Sequence, residues 1–409
     1  MNTFLINCSN LKNGGGLQVA QSVCSQLKKY QQHHFIVVLS SYITGVETTE
    51  SANSEFFRYD IKNNLSTLLL GRDNYLDGLV ESKNVEVVLT IFGPSRWRPR
   101  CKHLCGFARA QLLLKNPLES ELLWKTKLTY KAWAWAFRRS SDTFYTENKY
   151  ISDMLPRLLG NKVKVYTVSN YYNQVFDQPD KWQRNVKLPT FEGTTLLTVA
   201  TPSVHKNLKI MIPVSEYLEQ RHPEFKFRFV LTCQPEALNV PAALRHHFVF
   251  VGKVDVAECP NLYEQADIMF MPTLLECFTA TYPEAMRMEV PIVTTDLEFA
   301  RGLCGDAACY YCAIDAEAAA EAIYKVATDK EYAHQLTEAG KRQLQNYDNY
   351  EQRADKLIAI MERMVTNVVP LEMGGVNFTS SPQEGGWPHD NHSPHEETDI
   401  GANPNIPGK

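Results

Sequence analysis

Nothing in the chain approaches the ~20 consecutive apolar positions needed to cross a bilayer. Neither sign of charge dominates: 42 lysines and arginines stand against 46 aspartates and glutamates, a net charge of -4. That balance excludes a polycationic nucleic-acid binder and a polybasic membrane anchor. The opening, Met1-Asn2-Thr3-Phe4-Leu5-Ile6-Asn7, lacks both a basic start and a long apolar core. It reads as the first strand of a domain, not as a secretory signal. The ten cysteines form no regular framework and are scattered among apolar segments. Free thiols in a reducing compartment are the expectation, and with them a cytoplasmic protein.

What is present is material for two cores. The chain has 409 residues, 44% of them apolar, which predicts two domains of ~150–200 residues sharing a cleft. Short apolar runs alternate with longer amphipathic segments. Strands are predicted at 4–7, 35–39, 85–92, 144–145 and 163–166, then at 196–200, 227–231, 248–251, 268–271, 291–295 and 308–311. Helices are predicted at 17–30, 122–137, 207–221, 259–266 and 316–328, a short one from Ala285, and two closing ones at 331–347 and 350–364. This alternation favours mostly parallel α/β sheets. The polar stretch 178–193, with Pro179 and Pro189, marks the boundary, giving a first domain 1–185 and a second 186–349. Residues 365–409 turn into Ser, Gly, Pro, His and Asn with almost nothing apolar. Such a tail cannot offset the entropy of ordering itself and is expected to be largely disordered. His389, His392 and His395 within it fit that tail better than a metal site.

Several residues fall where a parallel strand hands over to a helix, the place where open α/β sheets bind ligands. Glu276 and Glu284 straddle the turn after the apolar run at 268–271. An ionised carboxylate at a helix start suits a sugar diol, and amides there would hold Glu284 anionic. Glu276, before the turn, could face a reacting sugar. His205-Lys206-Asn207 follows the strand at 196–200, where an ammonium can sit beside a diphosphate. Gly14-Gly15-Gly16 follows the first strand. It permits close approach of a ligand to backbone, although its spacing is neither the dinucleotide fingerprint nor the nucleoside-triphosphate loop. Arg96, Arg98 and Arg100, with Lys102 and His103, make a basic run that fits either a solvated loop or a phosphate-bearing acceptor. Trp124, Trp133 and Trp135, interleaved with lysines and arginines, fit either a packed helix with a wet edge or shallow contact with a membrane surface.

Taken in order, these features resemble the retaining, nucleotide-sugar-dependent glycosyltransferases of the GT-B fold, family 4 (group 1). The strongest match is Pro272 through Met286, with its two glutamates separated by seven residues. His205-Lys206-Asn207 is similar to the family's donor-phosphate segment, and Gly14-Gly15-Gly16 to its glycine loop. The resemblance implies two Rossmann-like domains facing a cleft, the second binding the nucleotide sugar. Lys206 and Asn207 would contact the donor diphosphate and Glu284 the ribose. Glu276 would lie beside the transferred sugar, with backbone amides at Phe278 and Thr279. Gly15 and Gly16 would approach the phosphate across the cleft. The helix at 350–364 would cross back to complete the first domain. His103 is the candidate for the family's histidine in that domain, and Arg96, Arg98 and Arg100 for acceptor binding. Thr201 stands where the family usually has an arginine, and Cys277 and Thr279 where it usually has glycines. Arg287 is a candidate replacement for the missing charge, and the two β-carbons could narrow the sugar pocket.

The implied activity is transfer of a hexose from a nucleoside diphosphate to a hydroxyl of a glycan or polyprenyl-linked glycan in polysaccharide biosynthesis. The enzyme would sit at the inner face of the membrane and use no cofactor and no fixed metal. Nucleic acid is not an expected partner. An epimerase of the same architecture and a catalytically silent glycan-binding protein remain as alternatives.

Overall fold

The computed structural model describes residues 1–366, apart from 13, 45, 47–50, 63–65 and 119–123. From residue 367 the predicted tail lies outside the described residues, and so do His389, His392 and His395. Two parallel sheets carry the rest. The first comprises β1 (Asn2–Cys8), β2 (His33–Leu39), β3 (Ser54–Arg58), β4 (Val87–Thr90), β5 (Lys102–Gly106), β6 (Thr143–Thr146) and β7 (Lys164–Thr167), in the order β3-β2-β1-β4-β5-β6-β7. The second comprises β8 (Thr194–Thr198), β9 (Phe227–Leu231), β10 (Phe248–Phe250), β11 (Ile268–Met271), β12 (Ile292–Thr295) and β13 (Ala308–Tyr311), in the order β10-β9-β8-β11-β12-β13. In both sheets the winding reverses beside the first strand, between β1 and β4 and between β8 and β11. A crevice opens beyond the carboxyl ends at such points.

The central strands are apolar on both faces because helices cover both. Phe4 and Ile6 join the core that contains Val37 and Leu89, while Leu5 between them joins the opposite one with Ile36 and Val88. Val293 and Ile292 divide in the same way between the two layers of the second sheet. This is the period-two geometry of a strand buried on both sides. Helix Tyr350–Thr366 returns to the first sheet and packs on helix Gly15–Gln26 and on β4 and β5. Its Leu357, Ile358, Ile360 and Met361 complete the core around Phe4.

Two strands were not predicted. β3 is a half-buried edge strand, Ser-Glu-Phe-Phe-Arg, with little apolar signal. β5 begins inside the basic run, which hid it. All ten cysteines are free thiols. Cys309 in β13 and Cys312 just after it have two residues between them, a Cys-x-x-Cys spacing, the first buried and the second exposed. Among the described residues no helix is long and apolar enough to cross a membrane.

Candidate active site

The loops after β8 and β11 are stitched together at the second sheet's carboxyl edge. The Leu274 amide donates to the His205 carbonyl at 2.7 Å, and the Thr273 hydroxyl oxygen lies 3.3 Å from the same carbonyl. Those contacts bring Lys206 Nζ onto Glu276 Oε1, a charge-assisted pair whose side chains keep only 13% and 12% of their exposure. Thr273 Oγ1 donates to the same carboxylate oxygen at 2.8 Å. Asn207 follows in the left-handed conformation, with φ +48°. Its side chain is buried, and its amide Nδ2 has no hydrogen-bond partner. A buried amide left unpaired is costly. Lys206, Asn207 and Glu276, singled out from sequence positions 70 residues apart at most, therefore meet.

Glu284 departs from the sequence expectation. It lies in the first turn of helix Thr281–Arg287 and is 7% exposed. The hydrogen bond it receives comes from Tyr263 Oη, 3.1 Å from Oε2. Burial outweighs that donor and pushes its carboxyl up to about 7. The sequence predicted an anion held by amides. In the ligand-free protein desolvation wins, and a diol would supply the missing donors. Thr279 is buried and shares a 2.8 Å hydroxyl contact with Thr281. Cys277 does not simply line a sugar pocket. With Leu275 it packs into the first sheet's apolar cluster around Cys105 and Phe107.

Facing this edge is a cleft of about 530 Å³ lined by Gly15, Gly16, Ser22, Glu147, Asn170 and Arg353 from one side and by Phe278 and Ala280 from the other. Gly14 takes φ +72° to turn the chain into helix Gly15–Gln26, whose first turn has no side-chain cap. Its free amides and the helix dipole favour an anion at this end. Glu147, directly after β6, and Arg353, on the buried face of helix Tyr350–Thr366, were not singled out from sequence. The strand-end position of Glu147 was a usable signal, as was an arginine in the apolar stripe that holds Ala354, Leu357 and Ile358.

His103 does not reach the cleft. It is the second residue of β5, at the strand's amino end, whereas the cleft forms at the carboxyl ends. Its ring is buried, with Nε2 2.8 Å from Thr90 Oγ1 and Nδ1 2.6 Å from the Ser140 carbonyl. Burial lowers its pKa to about 4. Arg98 and Arg100 line a different cavity of about 530 Å³ together with His103 and Arg139. Arg96 and Arg98 border a smaller one, about 210 Å³, beside Trp133 and Trp135. None of the three arginines lines the interlobe cleft. Arg287, the candidate replacement for a charge at Thr201, pairs with Asp177, its Nε donating to Oδ1 at 2.7 Å. Among the described residues, one group has metal-ligand spacing: Glu219, His246 and His247. They bond to one another, at 2.9 Å and 3.2 Å from Glu219 Oε1 to the two rings.

Residues 181–343 match the family model of glycosyl transferases group 1. No curated protein matches the chain in sequence. Solved structures share its fold. A glycosyltransferase from Rickettsia africae superposes with a TM-score of 0.66 at 15% identity, covering 90% of this chain and 99% of its own. Sucrose-phosphate synthase from Thermosynechococcus elongatus gives 0.64 at 13%, covering 90% and 100%. Anabaena HepE, solved in complex with UDP and glucose, gives 0.62 at 12%, covering 88% and 99%. The fold is GT-B, two Rossmann-like sheets facing a cleft.

Proposed function

We propose that the chain is a retaining glycosyltransferase that moves a hexose from a nucleoside diphosphate to a hydroxyl of a glycan or lipid-linked glycan. The observation that carries this reading is the buried Lys206–Glu276 pair beside the unpartnered amide of Asn207, at the carboxyl ends of β8 and β11. The group 1 match over the same segment supports it. In this reading residues 186–349 hold the donor. Residues 1–185, completed by the helix at 350–364, present the acceptor.

Lys206 and Asn207 bind the diphosphate, and Glu284 takes the ribose diol. Glu276 faces the sugar, with the amides at Phe278 and Thr279. Gly15 and Gly16 approach the phosphate from the other lobe. The bond from the anomeric carbon to the diphosphate oxygen breaks as the acceptor oxygen bonds to that carbon from the same face. The acceptor's proton passes to the departing diphosphate oxygen. Lys206 and backbone amides offset the charge that develops there, so turnover should persist with a chelator present. A mass-resolved screen of nucleotide sugars against lipid extracts and free glycans tests the reading. Transfer with retained configuration is expected. An inverted linkage, or isomerised donor with no acceptor consumed, would sink it.

Glu284 gives a separable prediction. Replacing it by Gln should weaken nucleoside diphosphate binding by ~1.5–3 kcal/mol, the value of a hydrogen bond to a charged group. The same change should stabilise the empty protein at alkaline pH. The folded carboxyl titrates at about 7, above the ordinary carboxylate value of 4.5. Between those values the folded state holds a proton that the unfolded chain has released, so ligand-free stability falls as pH rises through that window. Glu284→Gln should therefore melt higher than the parent at about pH 8 and equal it at about pH 4. Equal melting temperatures at both ends would remove the buried-acid account.

Membrane contact belongs to this proposal too. Leu69, Leu70, Leu128 and Trp135 are exposed by 60%, 67%, 55% and 46%. Arg139 ties the two segments, donating to the Leu69 carbonyl at 2.6 Å and lying 4.4 Å over the Trp135 ring. Lys127, Lys131 and Arg138 are exposed on the same helix. Basic residues at an anionic surface contribute ~1 kcal/mol each. Sedimentation with phosphatidylglycerol vesicles should carry the protein down at low salt, and a Leu128→Glu, Trp135→Glu double variant should stay in solution. Equal sedimentation of both would refute the surface.

A further inference from the structure

We propose that Glu147 and Arg353 form the recognition pair of an acceptor subsite that takes a neutral, polyhydroxylated sugar. This rests on the transferase reading above and names the acceptor class for it. Both side chains are more than nine-tenths buried, with 6% and 4% exposure. Both line the interlobe cleft of about 530 Å³. Each keeps one polar atom without a partner: Glu147 Oε1 and Arg353 Nε. Burial of such atoms without partners is unfavourable, which sets these two residues apart from the rest of the cleft wall.

The rest of the guanidinium is fixed. Its Nη1 donates to Asn170 Oδ1, and its Nη2 donates to Ser22 Oγ at 2.6 Å. Three distant segments thus hold one donor group in place: the glycine-loop helix, the loop after β7, and the returning helix. A single hydroxyl can donate to a carboxylate and accept from a guanidinium N–H. A sugar offers several such hydroxyls, so it can meet both side chains at once.

The charge balance selects among sugars. Arg353 draws the Glu147 carboxyl down against the burial that raises it to about 7, and Glu147 in turn supports the charge on Arg353. The opposite charges leave the subsite near neutral. A phosphorylated sugar would bring its dianion to a site whose one cation is already matched by a carboxylate, whereas a neutral diol needs no net charge there. The half-buried rings of Tyr171, Phe278 and Tyr350 border the same cleft.

The test uses the full chain at about pH 8, where the carboxylate is ionised. Saturation-transfer NMR would measure binding of methyl glycosides of glucose, mannose and N-acetylglucosamine, with glucose 6-phosphate alongside. Calorimetry would measure UDP binding on the same samples. At least one neutral glycoside should bind more tightly than glucose 6-phosphate. Glu147→Gln should weaken that binding by about tenfold, leaving UDP affinity unchanged. Ser22→Ala sits on a half-exposed helix position and frees Arg353 Nη2. It should cost about threefold and decides the matter if the first variant does not fold. Tighter binding of the phosphosugar, no glycoside bound, or full affinity in the folded variants would overturn the subsite. Loss of UDP binding with glycoside binding intact would instead count against the transferase reading alone.

Discussion

Glu276→Gln should lower the rate of sugar transfer by ~10²–10³ while leaving nucleoside diphosphate affinity undiminished. The side chain is nearly buried and negatively charged, held by Lys206 and by the Thr273 hydroxyl at 2.8 Å. As the bond to the diphosphate breaks, positive charge grows on the transferred sugar. A fixed carboxylate in a poorly solvated pocket stabilises that charge, and the neutral amide does not. The gain exists only in the transition state, so it appears in turnover and not in ground-state binding. Gln keeps an oxygen to accept from Thr273, so the turn should hold. It also frees Lys206 from its partner, which works in favour of diphosphate binding. Single-turnover assays beside calorimetric titrations of the Glu276 and Glu284 variants separate the roles. Equal affinity losses in both, with no added chemical defect at Glu276, would overturn the assignment.

What could be read from the sequence follows from how each element is buried. β9, β11 and β13 were located to the residue because their runs are almost wholly apolar, the buried Arg228 of β9 being the one charged residue among them. β5 could not be read that way. Its first residues, Lys102 and His103, look like a solvated loop. In the fold Lys102 Nζ caps the carbonyls of Met364 and Val365 at the end of the returning helix, while His103 bonds across to Thr90 and Ser140. These partners are distant in sequence, so no local pattern announces them. The same strand sets the error over the histidine: reading 102–107 as a loop hides which end of a strand His103 occupies. That Lys206 and Glu276 would meet was legible because each follows a recognisable apolar strand. Glu147 and Arg353 were missed because one follows the short strand Thr-Phe-Tyr-Thr and the other lies on a helix credited only with packing. The protonation of Glu284 also lay out of reach, since it depends on how completely neighbouring side chains exclude water.

Lys206→Ala should weaken nucleoside diphosphate binding by ~1.5–3 kcal/mol and reduce turnover with it. The ammonium is 13% exposed, so water does not replace it well once it is gone. In the empty protein its charge is matched by Glu276. When a diphosphate arrives, Lys206 can serve both anions, and without it two negative groups face each other across the same loop pair. The loss should therefore be steeper for the diphosphate than for the bare nucleoside, a comparison that cancels any general damage to the pocket. Glu276 left without its cation is a buried charge out of balance, which should also lower thermal stability. A Lys206→Ala, Glu276→Gln double variant should recover that stability without recovering the affinity. Calorimetry with nucleoside diphosphate and nucleoside, together with melting curves for the single and double variants, checks each part. Unchanged diphosphate affinity in Lys206→Ala would remove the residue from the donor site, and an equal loss for nucleoside and diphosphate would show that its charge does not act on the phosphates.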